Sequence, residues 1–278
     1  MNRSVEQVTC EIYGLQIESE REKMGAIKNI AYKAVDVMTL GRGIKRNFSG
    51  EEIRFPPKWS RYFRTDYEPE TFAFFSEHLS PGDTVMDIGA HIGLFSVIAA
   101  RLVGESGKVF SFEPTPFTRK VLSQMVRLNH CENIVSIRGE AVSDKRGKTT
   151  FFDTGDTISV MNSLIKNERS QGGFEVLTIT VDEFVSEHHV RPTCLKVDVE
   201  GAELALLKGA LKTMKDIKPT MRFSLHPPFI PNAQVALDEI WSIFKENQYS
   251  IKFNGAEVEK DWFCSRVVLF DVDVVPTA

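Results

Sequence analysis

Thr84-Val-Met-Asp-Ile-Gly-Ala-His-Ile-Gly-Leu-Phe-Ser96 decides the fold. A short apolar strand ends in Asp87, and Gly89, Ala90 and Gly93 turn the chain into an apolar helix. Such a turn leaves backbone N–H groups and the positive helix end facing outward, as in open α/β sheets that hold nucleotide-like ligands. Downstream the pattern alternates, with strands at 84–87, 108–112, 134–138, 193–199 and 220–225 and helices at 93–103, 117–129, 202–214 and 233–247. This alternation predicts a Rossmann-like, doubly wound α/β sheet, mostly parallel, with helices on its faces. Tyr249–Asn254 and Arg266–Asp271 follow with no helix expected between them, so they should pair as an antiparallel C-terminal hairpin at a sheet edge. Residues 147–181 interrupt the rhythm with two β-like runs, Thr149–Phe152 and Phe174–Val181, before Thr180-Val-Asp-Glu183 reads as a capping box. Thr115 and Pro116 mark the start of the 117–129 helix, with Thr115 placed to cap it.

Upstream, residues 1–65 read as an N-terminal extension and 66–278 as the main domain. Met24, Ile27, Ile30, Ala31, Ala34, Val35 and Met38 form the apolar stripe of a helix expected to pack on the main domain. Phe48 to Phe55 reads as a hairpin around Ser49-Gly50. Trp59, Tyr62, Phe63 and Tyr67 read first as core or interface, with a pocket roof as the lesser reading.

Composition narrows the function. With 278 residues and a formal charge of -4, the chain lacks the basic surface that phosphate-backbone binding needs, so nucleic acid is not expected as a partner. The four cysteines stand singly, without metal or disulfide spacing. No leader or membrane-spanning run is read in the sequence, and a cytoplasmic location is expected. Oligomeric state is not legible.

A dinucleotide fold would place G-x-G-x-x-G at the turn. Here Gly89-Ala90-His91-Ile92-Gly93 puts side chains where a diphosphate would approach, which favours a ligand without pyrophosphate. Glu113 ends the second strand, where an acidic side chain accepts both ribose hydroxyls. An adenosine-type ligand with a free ribose satisfies both observations.

Asp87, Gly89, Ala90, Gly93 and Glu113 together resemble class I S-adenosylmethionine-dependent methyltransferases. Leu195-Lys-Val-Asp-Val-Glu-Gly-Ala-Glu203 resembles the fourth-strand signature of the FkbM-type family, and Asp83–Gly93, Ala141-Val-Ser-Asp144 and Leu225-His226-Pro227 fall in the family's order. The resemblance implies a seven-stranded sheet with a final antiparallel strand, and S-adenosyl-L-methionine as methyl donor to a hydroxyl of a small-molecule or glycan acceptor. It places Asp87, Gly89, Ala90, His91 and Gly93 at the methionine end, Glu113 at the ribose, and Glu140, Ala141 and Val142 by the adenine. Ser224 and His91 depart from the family pattern, which has an acidic residue and a small amide at those positions.

Strand alternation places Lys196, Asp198 and Glu200 on one face. Charges on a central strand are costly unless paired or at its open end, so Asp198 is expected to act at the site, with an ion pair to Lys196 as the alternative. Asp198, His226 and Glu200 are the candidate catalytic residues, with Asp198 also beside the cofactor. Glu203, at a helix start, reads equally as a dipole partner. Asp198 and Glu200 are two possible ligands of a divalent cation, but with no third ligand identified no metal is expected. Asn162 and Ser163 are candidates for acceptor contact or for a turn. The alternative functions are an NAD(P)-dependent oxidoreductase and a catalytically inactive cofactor-binding module.

Overall fold

A computed structural model describes residues 31–32, 34–35, 37–153, 163–166 and 172–277. The 20–40 helix lies mostly outside these residues; its described part is helical, and Met38 at the end of its stripe is exposed. Strands β1 (Ile44–Phe48) and β2 (Glu51–Phe55) form the expected hairpin, with Ser49 and Gly50 both at positive φ in its turn. Helix α1 (Pro69–His78) then leads to β3 (Thr84–Ile88), α2 (Leu94–Val103), β4 (Lys108–Phe112), α3 (Pro116–Leu128) and β5 (Val135–Arg138). Strands β6 (Ala141–Val142), β7 (Gly147–Asp153) and β8 (Gly172–Ile179) make a separate small sheet in the order β6-β8-β7. Helix α4 (Val181–His188) starts at the Thr180–Glu183 capping box, whose two reciprocal hydrogen bonds are both present. The rest comprises β9 (Cys194–Val197), α5 (Glu203–Lys208), α6 (Leu211–Asp216), β10 (Thr220–Leu225), α7 (Ala233–Glu246), β11 (Tyr249–Phe253), β12 (Ala256–Glu257), α8 (Lys260–Cys264) and β13 (Phe270–Pro276).

The main sheet has the order β12-β11-β13-β10-β9-β3-β4-β5. Strands β10, β9, β3, β4 and β5 are parallel neighbours, and β13 runs antiparallel to both β10 and β11. The eighth strand, β12, is a two-residue edge beside β11. Two details differ from the sequence reading, while the expected antiparallel pair of β11 and β13 forms at this end of the sheet, with Phe270, Val272 and Val274 of β13 alternating into the core. β13 starts at Phe270, since Val267, Val268 and Leu269 are exposed, and the short helix α8 precedes it. The helix read over 202–214 is two helices, α5 and α6. Gly209 ends the first, at a point where a Cβ would lie 2.2 Å from the Ser143 carbonyl oxygen. Asp182 starts the second by accepting from the backbone N–H groups of Lys212 and Thr213 at 3.0 and 2.7 Å.

One core lies under α4 to α8, and a second under α1 to α3. Phe48, Ile53, Phe55 and Phe63 belong to the second, so the β1–β2 hairpin shares a core with the helices of the main domain. Beneath α1 and α2 a polar row crosses five neighbouring strands in register: Ser111, Asp87, Lys196, Arg222 and Asp273. Chain order reverses between β3 and β9, and the carboxyl ends of strands at such a switch point are where open α/β sheets hold ligands.

Candidate active site

At the switch point the backbones approach closely. Gly89 follows β3 with φ 82°, and a Cβ there would lie 1.8 Å from the Asp198 carbonyl oxygen. Gly93 begins α2 with φ 91°, where a Cβ would meet Leu122 Cδ1 at 2.2 Å. Both positions require glycine, the first for strand contact and the second for helix packing.

Two cavities open at this end of the sheet. The first is lined by Gly89, Ala90, His91, Glu113, Glu140, Lys196 and Asp198, with Ala141, Val142, Phe151 and Leu164 along an apolar side. The second is lined by Glu68, Asp198, Glu200, Ser224, His226 and Asp271. They share four wall residues: Phe63, Tyr67, Asp198 and Glu200. Of the expected cofactor-binding residues, Asp87 and Gly93 do not line the first cavity. Asp87 lies behind it, fully buried, accepting from Ser96 Oγ at 2.5 Å, and Ser96 Oγ accepts in turn from Ser111 Oγ at 2.8 Å. Burial raises the Asp87 pKa, against the pull of Lys196 and Ser96.

Glu113 is buried, and its Oε1 accepts from the Thr115 backbone N–H at 2.7 Å. Burial pushes its carboxyl up to about 7, against hydrogen bonds from Thr115 and the His91 backbone. Thr115 occupies the N-cap position of α3, but its side chain makes no capping hydrogen bond. His91 has φ 50°, and its ring lies 5.2 Å from that of Tyr62 and 6.2 Å from that of Phe63. Both its ring nitrogens are buried without a hydrogen-bond partner among the described residues, and burial lowers its pKa to about 4, so it is neutral.

Lys196 Nζ lies 3.2 Å from Asp198 Oδ2 and 3.9 Å from Asp87 Oδ1, and sits over the Phe95 ring at 5.5 Å. Burial works against its charge, but Asp198, Asp87 and Glu68 outweigh burial and raise its pKa. The ion pair weighed as an alternative role for Asp198 thus coexists with its place on the cavity wall. Asp198 feels the same opposition: burial favours the neutral acid, while Lys196 and His226 outweigh it and lower the pKa.

His226 gathers the acidic groups. Its Nδ1 bonds Glu203 Oε1 at 2.7 Å, and its Nε2 faces Asp198 Oδ1 at 3.4 Å and Glu200 Oε1 at 3.5 Å. Burial opposes protonation of His226, but the Glu203 hydrogen bond and the neighbouring carboxylates push its pKa up to about 9. Burial raises Glu200 to about 7. Glu203 is fully buried and also accepts from the Gly201 backbone N–H at 3.0 Å, so it is a partner of His226 as well as the first residue of α5. Ser163 donates to the Glu200 carbonyl at 2.6 Å and so braces that loop; Asn162 lies outside the described residues.

The sequence reading missed several groups at the site. Phe63 and Tyr67 wall both cavities and Tyr62 walls the second, so the lesser reading of the aromatic run describes three of its four members. Glu68, the left-handed residue before α1, accepts from Thr71 Oγ1 at 3.0 Å, and Thr71 Oγ1 accepts from Arg222 Nε at 3.2 Å. Arg222 also pairs with Asp273 at 2.8 Å and Asp271 at 3.1 Å. The argument used for Lys196, a charge within a central strand, applies equally to Arg222 and would have found it.

Comparison with known proteins identifies the family. The profile of the methyltransferase FkbM domain matches residues 87–251, more than half of the chain. Hexuronic acid methyltransferase AglP of Haloferax volcanii is 27% identical over 155 residues, covering 54% of this chain and 59% of that protein. Methyltransferase sdnD of Sordaria araneosa is 30% identical over 154 residues, covering 45% and 59%. The match thus spans less than two thirds of either relative. The crystal structure of methyltransferase FkbM from Methylobacillus flagellatus superposes with a TM-score of 0.46 at 15% identity, covering 74% of this chain and 50% of that one. By the match across residues 87–251, the chain belongs to the FkbM family of methyltransferases.

Proposed function

We propose that this protein is an S-adenosylmethionine-dependent O-methyltransferase whose acceptor is a hydroxyl of a sugar or similar oxygen-rich small molecule, an anionic sugar foremost. The observation that carries this reading is the pair of cavities joined at Phe63, Tyr67, Asp198 and Glu200. The lining of the first supports S-adenosylmethionine as its occupant. Glu113 suits the ribose hydroxyls, and Val142, Phe151 and Leu164 suit the adenine. The neutral, unpartnered His91 and the Lys196–Asp198 pair suit the methionine zwitterion. Phe63, Tyr67 and Phe95 offer aromatic surface to a sulfonium.

When bound, S-adenosylmethionine supplies an electrophilic methyl group on sulfur. The protein's work is to hold the acceptor oxygen in line with it, which contributes about 7–11 kcal/mol of barrier lowering when alignment is good. As the new O–CH3 bond forms, the S–CH3 bond breaks with its electron pair left on sulfur. The hydroxyl proton passes to the Asp198, Glu200 and His226 cluster, and a positioned base contributes roughly 10²–10⁴-fold. Against a dinucleotide stand the His91 side chain in the first cavity and the packing of Gly93 on Leu122. Against nucleic acid as acceptor stands the formal charge of -4, which leaves no excess of basic groups to meet a phosphate backbone. AglP, named for hexuronic acid, points to an anionic sugar.

The test is incubation with labelled S-adenosylmethionine and a panel of sugars, uronic acids and phenols. Label recovered in a methyl ether supports the reading, with uronic acids favoured. Label found solely on nitrogen or carbon, or no transfer to any member, counts against it.

Glu113 yields a pH prediction. Only its ionised carboxylate accepts from both ribose hydroxyls, and in the free protein half of it is protonated near pH 7. Affinity for S-adenosylhomocysteine should therefore weaken about 30-fold from about pH 8 to about pH 5.5, because binding at the lower pH must displace a proton. Calorimetric titration of wild type and Glu113→Gln checks this. The variant should bind more weakly at the higher pH and lose most of the pH dependence; an unchanged slope would remove Glu113 from the ribose site.

A further inference from the structure

We infer that Asp198, Glu200 and His226 form a binding site for a divalent cation, placed where the two cavities meet and able to gather the oxygens of the acceptor. Its use in catalysis rests on the methyl-transfer reading; cation binding itself does not. The sequence offers two carboxylates without a third ligand, and the fold brings His226 to them. One ligand atom from each residue lies within 4.8 Å of the others.

Two of the three ligands, Asp198 and His226, are held from behind and free in front. Asp198 Oδ2 faces Lys196, leaving Oδ1 toward His226. His226 Nδ1 is engaged by the buried Glu203 carboxylate, leaving Nε2 toward Asp198 and Glu200. A carboxylate behind a histidine is the usual support of a metal-bound imidazole, fixing its tautomer and raising its basicity. Glu200 is 9% exposed, and its Oε2 is buried with no hydrogen-bond partner among the described residues. A buried carboxylate oxygen without a donor is costly unless something positive meets it.

The spacing suits a cation as well as a protonated imidazole shared between two carboxylates. A protonated His226 bonding one carboxylate through Nε2 would bring donor and acceptor to roughly 2.7–2.9 Å. The observed separations are 3.4 and 3.5 Å, nearly equal. Adjacent ligands around an octahedral cation with bonds of about 2.1–2.5 Å stand about 3.0–3.5 Å apart. Two carboxylate oxygens and one imidazole nitrogen suit a hard to borderline cation of the Mn2+ class. Three protein ligands leave positions for acceptor oxygens.

The surroundings explain why a cation is needed. The second cavity carries four carboxylates, and among the described residues His226 is the only basic side chain on its wall. An anionic acceptor, or a deprotonating hydroxyl, would be repelled there. A cation would reverse the local sign and lower the pKa of a coordinated hydroxyl, which would then release its proton to solvent before methyl transfer instead of to the ligating cluster.

The experiment is a room-temperature electron paramagnetic resonance titration of the full chain with Mn2+, after chelation and desalting. The six-line signal of free Mn2+ should be lost at micromolar concentration with one ion bound per chain. Glu200→Gln and His226→Gln should each weaken binding at least about tenfold, while the far-ultraviolet circular dichroism spectrum, measured alongside to show that each variant is folded, stays that of wild type. Wild type leaving the free signal intact into the millimolar range, or both variants binding like wild type, would overturn the inference. Methyl transfer that persists in excess chelator would overturn the catalytic use of the cation and leave the methyl-transfer reading intact. Mn2+ bound by a protein that methylates no hydroxyl acceptor would support the site and sink that reading.

Discussion

Asp198→Asn is expected to lower turnover by about 10²–10⁴-fold while S-adenosylhomocysteine affinity changes by no more than a few-fold. The substitution keeps the shape of the side chain and removes its charge. Asp198 borders both cavities, faces His226 and Lys196, and is held ionised because those two groups outweigh its burial. Asn presents an amide where a proton acceptor or an anionic cation ligand is required, so the loss should fall on the chemical step. Steady-state kinetics with direct cofactor titration separates the two effects. Turnover equal to wild type would remove Asp198 from the reacting groups and leave it a structural partner of Lys196.

Lys196→Met should cost about 3–5 kcal/mol of stability, the range for removing one partner of a buried ion pair. Lys196 is 4% exposed and Asp87 is 0% exposed, so removing the ammonium strands a carboxylate with no route to water. For a chain of this size that corresponds to a melting temperature roughly 6–20 °C lower. Adding Asp87→Asn should recover part of the loss, since it neutralises that buried carboxylate while leaving Asp198 at the cavity edge. Thermal denaturation of the single and double variants decides it. A single variant as stable as wild type would mean that the polar row across the sheet is not a coupled unit.

Much of the fold was legible because its signals are local. Apolar runs of four or five residues, punctuated by Gly89, Gly93 and Pro116, place β3, α2, β4 and α3 within one residue of where they lie. Where long-range packing decides, the sequence is silent. Nothing in Arg266–Leu269 distinguishes it from a strand, yet those residues stay outside the sheet because β13 takes its register from β10. The break at Gly209 depends on the Ser143 carbonyl, 66 residues away in the chain.

The site divides in the same way. Glu113 and Asp198 could be read from position alone, at the ends of strands beside a glycine turn. The Glu203–His226 pair could not, because each has a sufficient local reading, one as a helix-start acid and the other as a strand end. Only the fold sets them 2.7 Å apart. Ser224, where the family pattern has an acid, lies opposite Asp271 in the β10–β13 register. A carboxylate therefore remains on that wall, supplied by the neighbouring strand.

The cavity beneath His91 and Glu113 is expected to hold a methyl donor and no dinucleotide. Thermal shift with S-adenosylhomocysteine and with NADH tests it most directly, since a ligand at about 100 times its dissociation constant stabilises the folded state by roughly 2.7 kcal/mol. A shift with S-adenosylhomocysteine that Glu113→Gln diminishes, and none with NADH, is the expected result. A shift with NADH alone would contradict it.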